Sequence, residues 1–224
     1  FRDLVIQKRE NDLVAASFGR GFYVLDDYSS LREMSPDVLK EQGRLFAPRT
    51  AKWYIPRSNL GNTGADYYIA DNPEFGAVFT YYLSQEFTTA KELRKKAEKE
   101  ANKEGKDIPF PGYDALDAEN SEQPAQVWVI IRDAEGNVIR NLQGKAAKGT
   151  HRIAWDLRHA GTGAIDPERS SGGGWFSRGP MAVPGTYTAS LALEKEGLVT
   201  SLGEPVRFEV KPIREGVLGG MDFE

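Results

Sequence analysis

Two carboxylates, Asp26 and Asp27, are the residues with the clearest potential for catalysis in this sequence. Most glycoside hydrolases use two carboxylates that lie on opposite sides of the scissile bond. Adjacent residues on a strand point to opposite faces of the sheet, so these two side chains cannot flank one glycosidic bond. We therefore predict that the pair has a structural role in a turn.

The only two histidines, His151 and His159, are candidates for metal binding or general-base catalysis. Neither has a third ligand or a nucleophile at a recognisable spacing. We predict positions on the surface or at a strand edge for both. The chain has no cysteine, which excludes disulfides and thiolate metal sites and leaves the redox compartment undetermined.

A stretch rich in glycine and serine, residues 160–177, contains Ser170, Ser171 and Ser177. These serines lack the G-x-S-x-G pattern of an activated nucleophile. The three glycines at 172–174 have neither the strand-to-helix context nor the following Lys and Ser or Thr of a phosphate-binding loop. The sequence therefore predicts no catalytic residue, no cofactor and no metal site.

Three aromatic pairs are the best candidates for contact with a ligand or a partner. Sugar rings stack on exposed aromatic side chains, so these pairs would suit a carbohydrate-binding surface. Large aromatic side chains usually bury most of their area, which favours the alternative that they cap the ends of a sandwich or contact another domain. The six residues are Trp53, Tyr54, Tyr67, Tyr68, Trp175 and Phe176.

Composition narrows the class of partner. The chain has 224 residues, of which 40% are apolar, enough for one good core or for a domain with an appendage. Its formal net charge of -4 argues against nucleic acid or an anionic membrane as the main partner. No apolar run approaches the length that spans a membrane.

Strand signals are clearest in residues 126–157, around which we expect the fold to be organised. Val127, Val129 and Ile131 alternate with other side chains, as in a half-buried strand. A turn with Gly136 in a left-handed conformation leads into a partner strand at 138–142. A third strand is predicted at 151–157, with Ile153, Trp155 and Leu157 pointing inward.

Residues 1–28 read as three short strands, at 4–6, 12–18 and 22–25. Three strands without a covering element are only marginally stable. We therefore expect them to pack on the sandwich or to pair with another copy of the chain. Because the sequence begins at Phe1 without an initiator Met, we interpret the chain as a processed product or a fragment.

Residues 29–76 are predicted to be a connector. Ser35 and Pro36 favour a short helix at 37–42, which Gly43 would end. Short edge strands are expected at 45–48 and 52–55, because prolines near their ends do not suit a central strand.

The remaining chain, residues 77–213, is predicted to be a β-sandwich whose first strand is 77–83. A charged helical insertion occupies 88–125, with a Thr89 and Glu92 capping box that begins a helix ending near Glu104. We expect this helix to be a solvated arm supported by pairs such as Glu92 with Lys96.

Further strands are predicted at 186–193 and 205–210, followed by a tail at 214–224. Short strands separated by turns, with the only long helix in an insertion, are typical of an immunoglobulin-like β-sandwich. The predicted fold class is therefore mainly β.

Several segments resemble one family. RENDLVAASFGRGFYVLDD is similar to the closing strands of a propeller blade in bacterial sortilin-like or BNR-repeat proteins, often labelled glycosyl hydrolase-like. NPEFGAVFTYYL, DAEGNVIRNL, GTHRIAWDLR and VPGTYTASL resemble the Ig-like domain that follows the propeller in these proteins, and more distantly the Ig-like domain of the flagellar hook-capping protein. The S-x-D-x-G-x-x-W Asp-box of many such blades is absent.

This resemblance implies a C-terminal module of a large exported protein, located in the periplasm, on the cell surface or outside the cell. Residues 1–28 would be a remnant of the last propeller blade. The implied function is a non-catalytic, structural or accessory domain that supports the propeller and mediates protein contacts. The alternative is a carbohydrate-binding accessory module of a glycoside hydrolase-like enzyme. The expected partners are the rest of the propeller, a second copy through residues 1–28, or a glycan.

Overall fold

A computed structural model describes residues 1–19, 21–56, 72–161 and 179–213. The protein is mainly β, as predicted. The strands are β1 Asp3–Gln7, β2 Asp12–Ser17, β3 Gly21–Leu25, β4 Gly43–Phe46, β5 Ala51–Trp53, β6 Ala77–Leu83, β7 Gln126–Arg132, β8 Val138–Gly144, β9 Gly149–Trp155, β10 Gly185–Lys195, β11 Leu198–Ser201 and β12 Val206–Pro212. The helices are α1 Ser29–Glu33, α2 Ala90–Lys103 and α3 Tyr113–Ser121, with a 3-10 turn at Val38–Lys40.

These strands form three sheets within the described residues. The larger sheet has the order β5-β12-β10-β7-β8, with β11 also paired to β10, and the smaller one has the order β4-β6-β9. β1, β2 and β3 form a separate sheet in chain order, which we call the N-terminal sheet. All pairs are antiparallel except β5 with β12. The predicted edge strands are present but begin one or two residues earlier than expected, and among the described strands β4 pairs only with β6 and β5 only with β12.

The core lies between the larger and the smaller sheet. Val127, Val129 and Ile131 of β7 are fully buried on the inner face, which confirms the predicted alternation. Phe79 of β6 meets Phe208 of β12 across the core, with ring centroids 5.1 Å apart. The larger sheet curls, so that β8 lies beside β9 of the smaller sheet.

The predicted third strand is confirmed in place but not in its ends. It begins at Gly149 and ends at Trp155, two residues before the predicted limit. Leu157 has a φ of 54° and so leaves the extended conformation, yet its side chain is fully buried as predicted. The chain turns here because the Trp155 indole N–H donates to the Arg158 carbonyl at 2.8 Å.

β6 is buried on both faces, which explains its nearly continuous apolar sequence. Phe79 and Tyr81 face the main core. Thr80 and Tyr82 lie on the opposite face and are also buried. The Tyr82 hydroxyl donates to the carbonyl of Leu39 in the connector at 3.3 Å, so the connector covers this outer face.

The helix predicted at 37–42 is wrong in length and type. Only a 3-10 turn forms, at Val38–Lys40, although the Ser35 hydroxyl still accepts from the Val38 N–H at 3.3 Å. The chain enters β4 at Gly43, where a Cβ would lie 3.0 Å from the Leu202 side chain. Pairing of β4 with β6 therefore takes over the residues that would have continued the helix. An unpredicted helix, α1, precedes this turn.

The helical insertion contains the predicted α2 and an unpredicted α3. Both hydrogen bonds of the Thr89 and Glu92 capping box are present. The expected ion pair of Glu92 with Lys96 is not formed, because the Glu92 carboxylate accepts a hydrogen bond from the backbone N–H of Thr89 at 3.0 Å instead. Instead, Arg94 reaches Glu98 on its own helix and Glu119 on α3, at 2.5 and 2.7 Å.

Candidate functional site

The predicted aromatic residues are not equivalent in the structure. Trp53 is half-buried against the core, and its indole N–H donates to the Ala182 carbonyl at 2.8 Å. Tyr54 is exposed over 38% of its surface and meets the Phe75 ring edge-on, with centroids 4.8 Å apart. Tyr54 therefore presents a supported, accessible ring. Tyr67, Tyr68, Trp175 and Phe176 lie outside the described residues.

Asp26 and Asp27 lie in the turn that leaves the N-terminal sheet. Asp27 has a φ of 44°, and its carboxylate accepts from the Ser29 N–H at 3.2 Å. The Asp27 N–H donates to the Asp12 carboxylate at 3.0 Å. Arg152 of β9 donates to the carbonyls of both residues, at 2.5 and 2.8 Å. The pair therefore anchors the end of β3, as the predicted structural role requires.

The two histidines are also held by local contacts. The His151 ring lies 5.3 Å from the Tyr81 ring, and its Nε2 is 2.6 Å from the Ala147 carbonyl. The backbone N–H of His159 donates to the Pro180 carbonyl at 2.9 Å. Within the part of the chain that the structure describes, no group of three or more His, Asp or Glu side chains could hold a metal ion.

A cleft runs along the junction between the N-terminal sheet and the smaller sheet. It consists of two cavities of about 350 Å³ each, which share Arg49, Asn72, Pro73 and Glu74. We call it the junction cleft. Its polar and aromatic walls are formed by Glu10, Arg49, Tyr54, Glu74, Thr80 and Arg152.

Arg49 and Arg152 tie the two sides of the junction cleft together. Arg49 lies 3.3 Å from the carboxylate of Glu10, in the turn between β1 and β2, and 4.0 Å from that of Asp12, at the start of β2. Arg152 reaches across from β9 to the carbonyls at the end of β3. Sequence reasoning missed this cleft, because its walls come from five separate segments without a common motif. The local signals were Tyr54 and the pair Asp26 and Asp27, for which we predicted only a structural role.

The N-terminal sheet is a second candidate surface, because apolar side chains are exposed on both of its faces. Phe22 and Val24 alternate with Tyr23 and Leu25 along β3, and all four are exposed. Leu4, Val5 and Ile6 of β1 are exposed in the same way. These exposed side chains of β1 and β3 are therefore not buried on the two core sheets, contrary to one of the two expected arrangements. Exposed apolar surface of this kind marks interaction sites.

The helical insertion forms a third region, with a groove of about 310 Å³ lined by Ala97, Ala101, Ile108 and Phe110. Arg94 holds α3 against α2 through Glu119. The hydrogen bonds from Arg94 lower the pKa of the Glu119 carboxyl, and the same carboxylate together with Glu98 raises the pKa of Arg94. Both charges are therefore fixed near neutral pH.

Among the described helices, none has the length and apolarity needed to cross a bilayer. No protein-family profile matches this chain, and neither a curated protein nor a solved structure gives a significant match to it.

Proposed function

We propose that this chain is a non-catalytic accessory module of a larger exported β-propeller protein, which it supports through the N-terminal sheet. The observation that carries the proposal is the exposure of apolar side chains on both faces of that sheet. A sheet of this composition requires neighbours on both sides. A blade of a propeller has such neighbours, since the blades on either side cover its two faces.

The arrangement of β1, β2 and β3 supports the blade interpretation. The three strands form an antiparallel sheet in chain order, with β2 in the centre. Propeller blades are four-stranded sheets. The N-terminal sheet is therefore one strand short of a blade, and the missing strand would come from another part of the parent protein.

The sandwich is proposed to be of the immunoglobulin-like type. The Tyr187 hydroxyl donates to the carbonyl of Val183, four residues upstream, at the start of β10. This contact has the form of the tyrosine corner of Ig-like sandwiches. Burial raises the pKa of Tyr187, so the hydroxyl remains protonated and able to donate.

The first test is the intact mass of the natural protein, recovered from its source with an antibody against this chain. A mass large enough for a propeller supports the proposal. A mass equal to that of the present chain overturns it. Fractionation of the same source tests export, which requires the protein in the periplasm, on the cell surface or in the medium.

The second test compares hydrogen exchange of residues 3–25 in the isolated chain and in the longer protein. Exposed strands open easily, so we expect weak protection in the isolated chain and strong protection in the longer protein. The matched control is β11, another exposed strand, which should exchange equally in both. Equal protection of residues 3–25 in the two forms would show that nothing covers the N-terminal sheet.

A further inference from the structure

We propose that the junction cleft binds a neutral oligosaccharide. This inference goes beyond the accessory role proposed above, and it concerns a different surface. If the chain is a carbohydrate-binding module, this cleft is where the carbohydrate would bind. Of the six aromatic residues predicted to contact a ligand, only Tyr54 lies in this cleft among those that the structure describes.

The size of the cleft suits an oligosaccharide. Each cavity has about 350 Å³, at the lower end of the range of about 300–1,000 Å³ for small-molecule sites. The cavities adjoin at Arg49, Asn72, Pro73 and Glu74. Two joined compartments of equal size would accommodate two neighbouring sugar units.

The charge around the cleft argues for a neutral ligand. Four carboxylates, of Glu10, Asp26, Asp27 and Glu74, face three cationic side chains, of Arg49, Lys52 and Arg152. The formal charges of these seven side chains sum to only -1, which provides no strong field to attract a phosphate, a sulfate or a polyamine. The set offers closely spaced donors and acceptors, which adjacent hydroxyl groups of a sugar use together.

The two arginines retain donors for a ligand. Arg152 uses one nitrogen, Nη2, for the carbonyls of Asp26 and Asp27, and Arg49 uses Nη1 for Glu10. A guanidinium group has five N–H donors in a planar fork. Because their protein contacts already fix the orientation of both groups, a ligand would need to order less on binding.

Tyr54 and Thr80 complete the site. Tyr54 offers an accessible ring supported edge-on by Phe75, as a stacking platform for a sugar face requires. Thr80 lines the cleft and, with Ser30, is one of the two buried non-aromatic polar side chains among the described residues. Its hydroxyl adds a hydrogen-bonding group to the wall of the cleft.

The test is an array of neutral oligosaccharides probed with the purified chain, with affinities for retained sugars measured by titration calorimetry. Tyr54→Ala removes the stacking ring and should weaken binding by about tenfold or more. Glu74→Gln keeps the shape of the side chain but removes the charge, and it should also weaken binding. The matched controls, Tyr113→Ala and Glu204→Gln, alter exposed residues outside the cleft and should bind as the unsubstituted chain does.

Near-UV circular dichroism and thermal unfolding establish whether each variant is folded. If Tyr54→Ala does not fold, the binding of Glu74→Gln tests the proposal instead. The proposal is overturned if no neutral oligosaccharide is retained or if the cleft variants bind as well as the controls. A preference for sulfated oligosaccharides over neutral ones would show that the ligand class is wrong. None of these outcomes depends on whether a propeller covers the N-terminal sheet.

Discussion

The N-terminal sheet and the larger core sheet have similar strand sequences but opposite environments. GFYVL in β3 and VWVII in β7 are both rich in aromatic and β-branched residues. Val24 in β3 is 55% exposed, whereas Val129 in β7 is fully buried. Strand propensity therefore determines the local conformation in both sheets, and only the presence of an opposing layer determines burial.

The contacts that stabilise the two regions differ in kind. The core sheets bury rings against each other, as Trp155 does against Tyr187 and Phe208. The N-terminal sheet is tied to the core sheets at the junction cleft by polar contacts of Arg49 and Arg152. Exposed ion pairs typically contribute about 0–1 kcal/mol each, whereas a buried aromatic side chain contributes several times as much. The core should therefore resist unfolding independently of the N-terminal sheet.

The largest difference in stability is expected between two substitutions of phenylalanine by alanine, one in the core and one in the N-terminal sheet. Phe79→Ala removes a fully buried ring and should lower the free energy of unfolding by about 3–5 kcal/mol. Phe22→Ala, at a residue 78% exposed, should change it by less than about 0.5 kcal/mol. Urea unfolding followed by tryptophan fluorescence measures both. Equal losses of stability would show that the two sheets unfold as one cooperative unit and that the core does not resist unfolding independently.

The next effect concerns two glycines with positive φ. Gly76, just before β6, has a φ of 104°, and an added Cβ would lie 1.8 Å from the Trp155 carbonyl oxygen. Gly136, in the turn between β7 and β8, has a φ of 88° and open space around it. Gly136→Ala should cost only the strain of a left-handed conformation, about 1–2 kcal/mol. Gly76→Ala should cost more, because the β6 to β9 pairing must also shift.

Thermal unfolding of the two glycine variants checks this order. A larger loss of stability for Gly136→Ala would show that space at the edge of the core is not what constrains Gly76. Gly105→Ala, at a third open position with a φ of 67° beyond α2, serves as the control for strain without core contact.

Sequence patterns predicted those parts of the fold that depend on local preference. The alternation of Val127, Val129 and Ile131 and the Thr89 capping box are both present in the structure. The missed features depend on contacts between distant residues. α3 is held by the ion pair of Arg94 with Glu119, and the predicted helix at 37–42 is shortened because Gly43 joins β4.

The candidate sites show the same limit. Nothing local in the sequence distinguishes Arg49 or Arg152 from other surface arginines. Their position in the junction cleft follows from polar contacts between residues far apart in the sequence, such as those of Arg152 with the carbonyls of Asp26 and Asp27. The exposure of the N-terminal sheet was also not predictable, since the continuous apolar runs of β1 and β3 are typical of strands that are covered on both faces. Tyr54 was one of six aromatic candidates, and nothing local in the sequence distinguished it from its neighbour Trp53, which is half-buried against the core.

A smaller effect is expected from Arg152→Ala. This change removes the hydrogen bonds to the carbonyls of Asp26 and Asp27, so the N-terminal sheet should separate from the smaller sheet more often. We expect limited proteolysis to cleave within residues 1–28 several times faster, while the unfolding midpoint of the core is unchanged. Arg207→Ala, at an exposed position of β12, is the matched control. Unchanged cleavage would mean that other contacts hold the sheet in place.

The smallest effect is expected in the helical insertion, which also depends on a polar contact. Arg94 lowers the pKa of Glu119 below its ordinary value of 4.5, so this carboxylate favours the docked α3 above that pH. The contribution is lost as the pH falls through the lowered pKa, when Glu119 becomes protonated.

Amide signals of α3 should therefore lose exchange protection on acidification, and Glu119→Gln should show the loss already at neutral pH. Because the core contains no such ion pair among its buried side chains in the described residues, β7 and β10 should remain protected over the same pH range. Simultaneous loss in α3 and the core strands would show that the arm and the core are coupled, and that apolar and polar contacts do not define separate units of stability here.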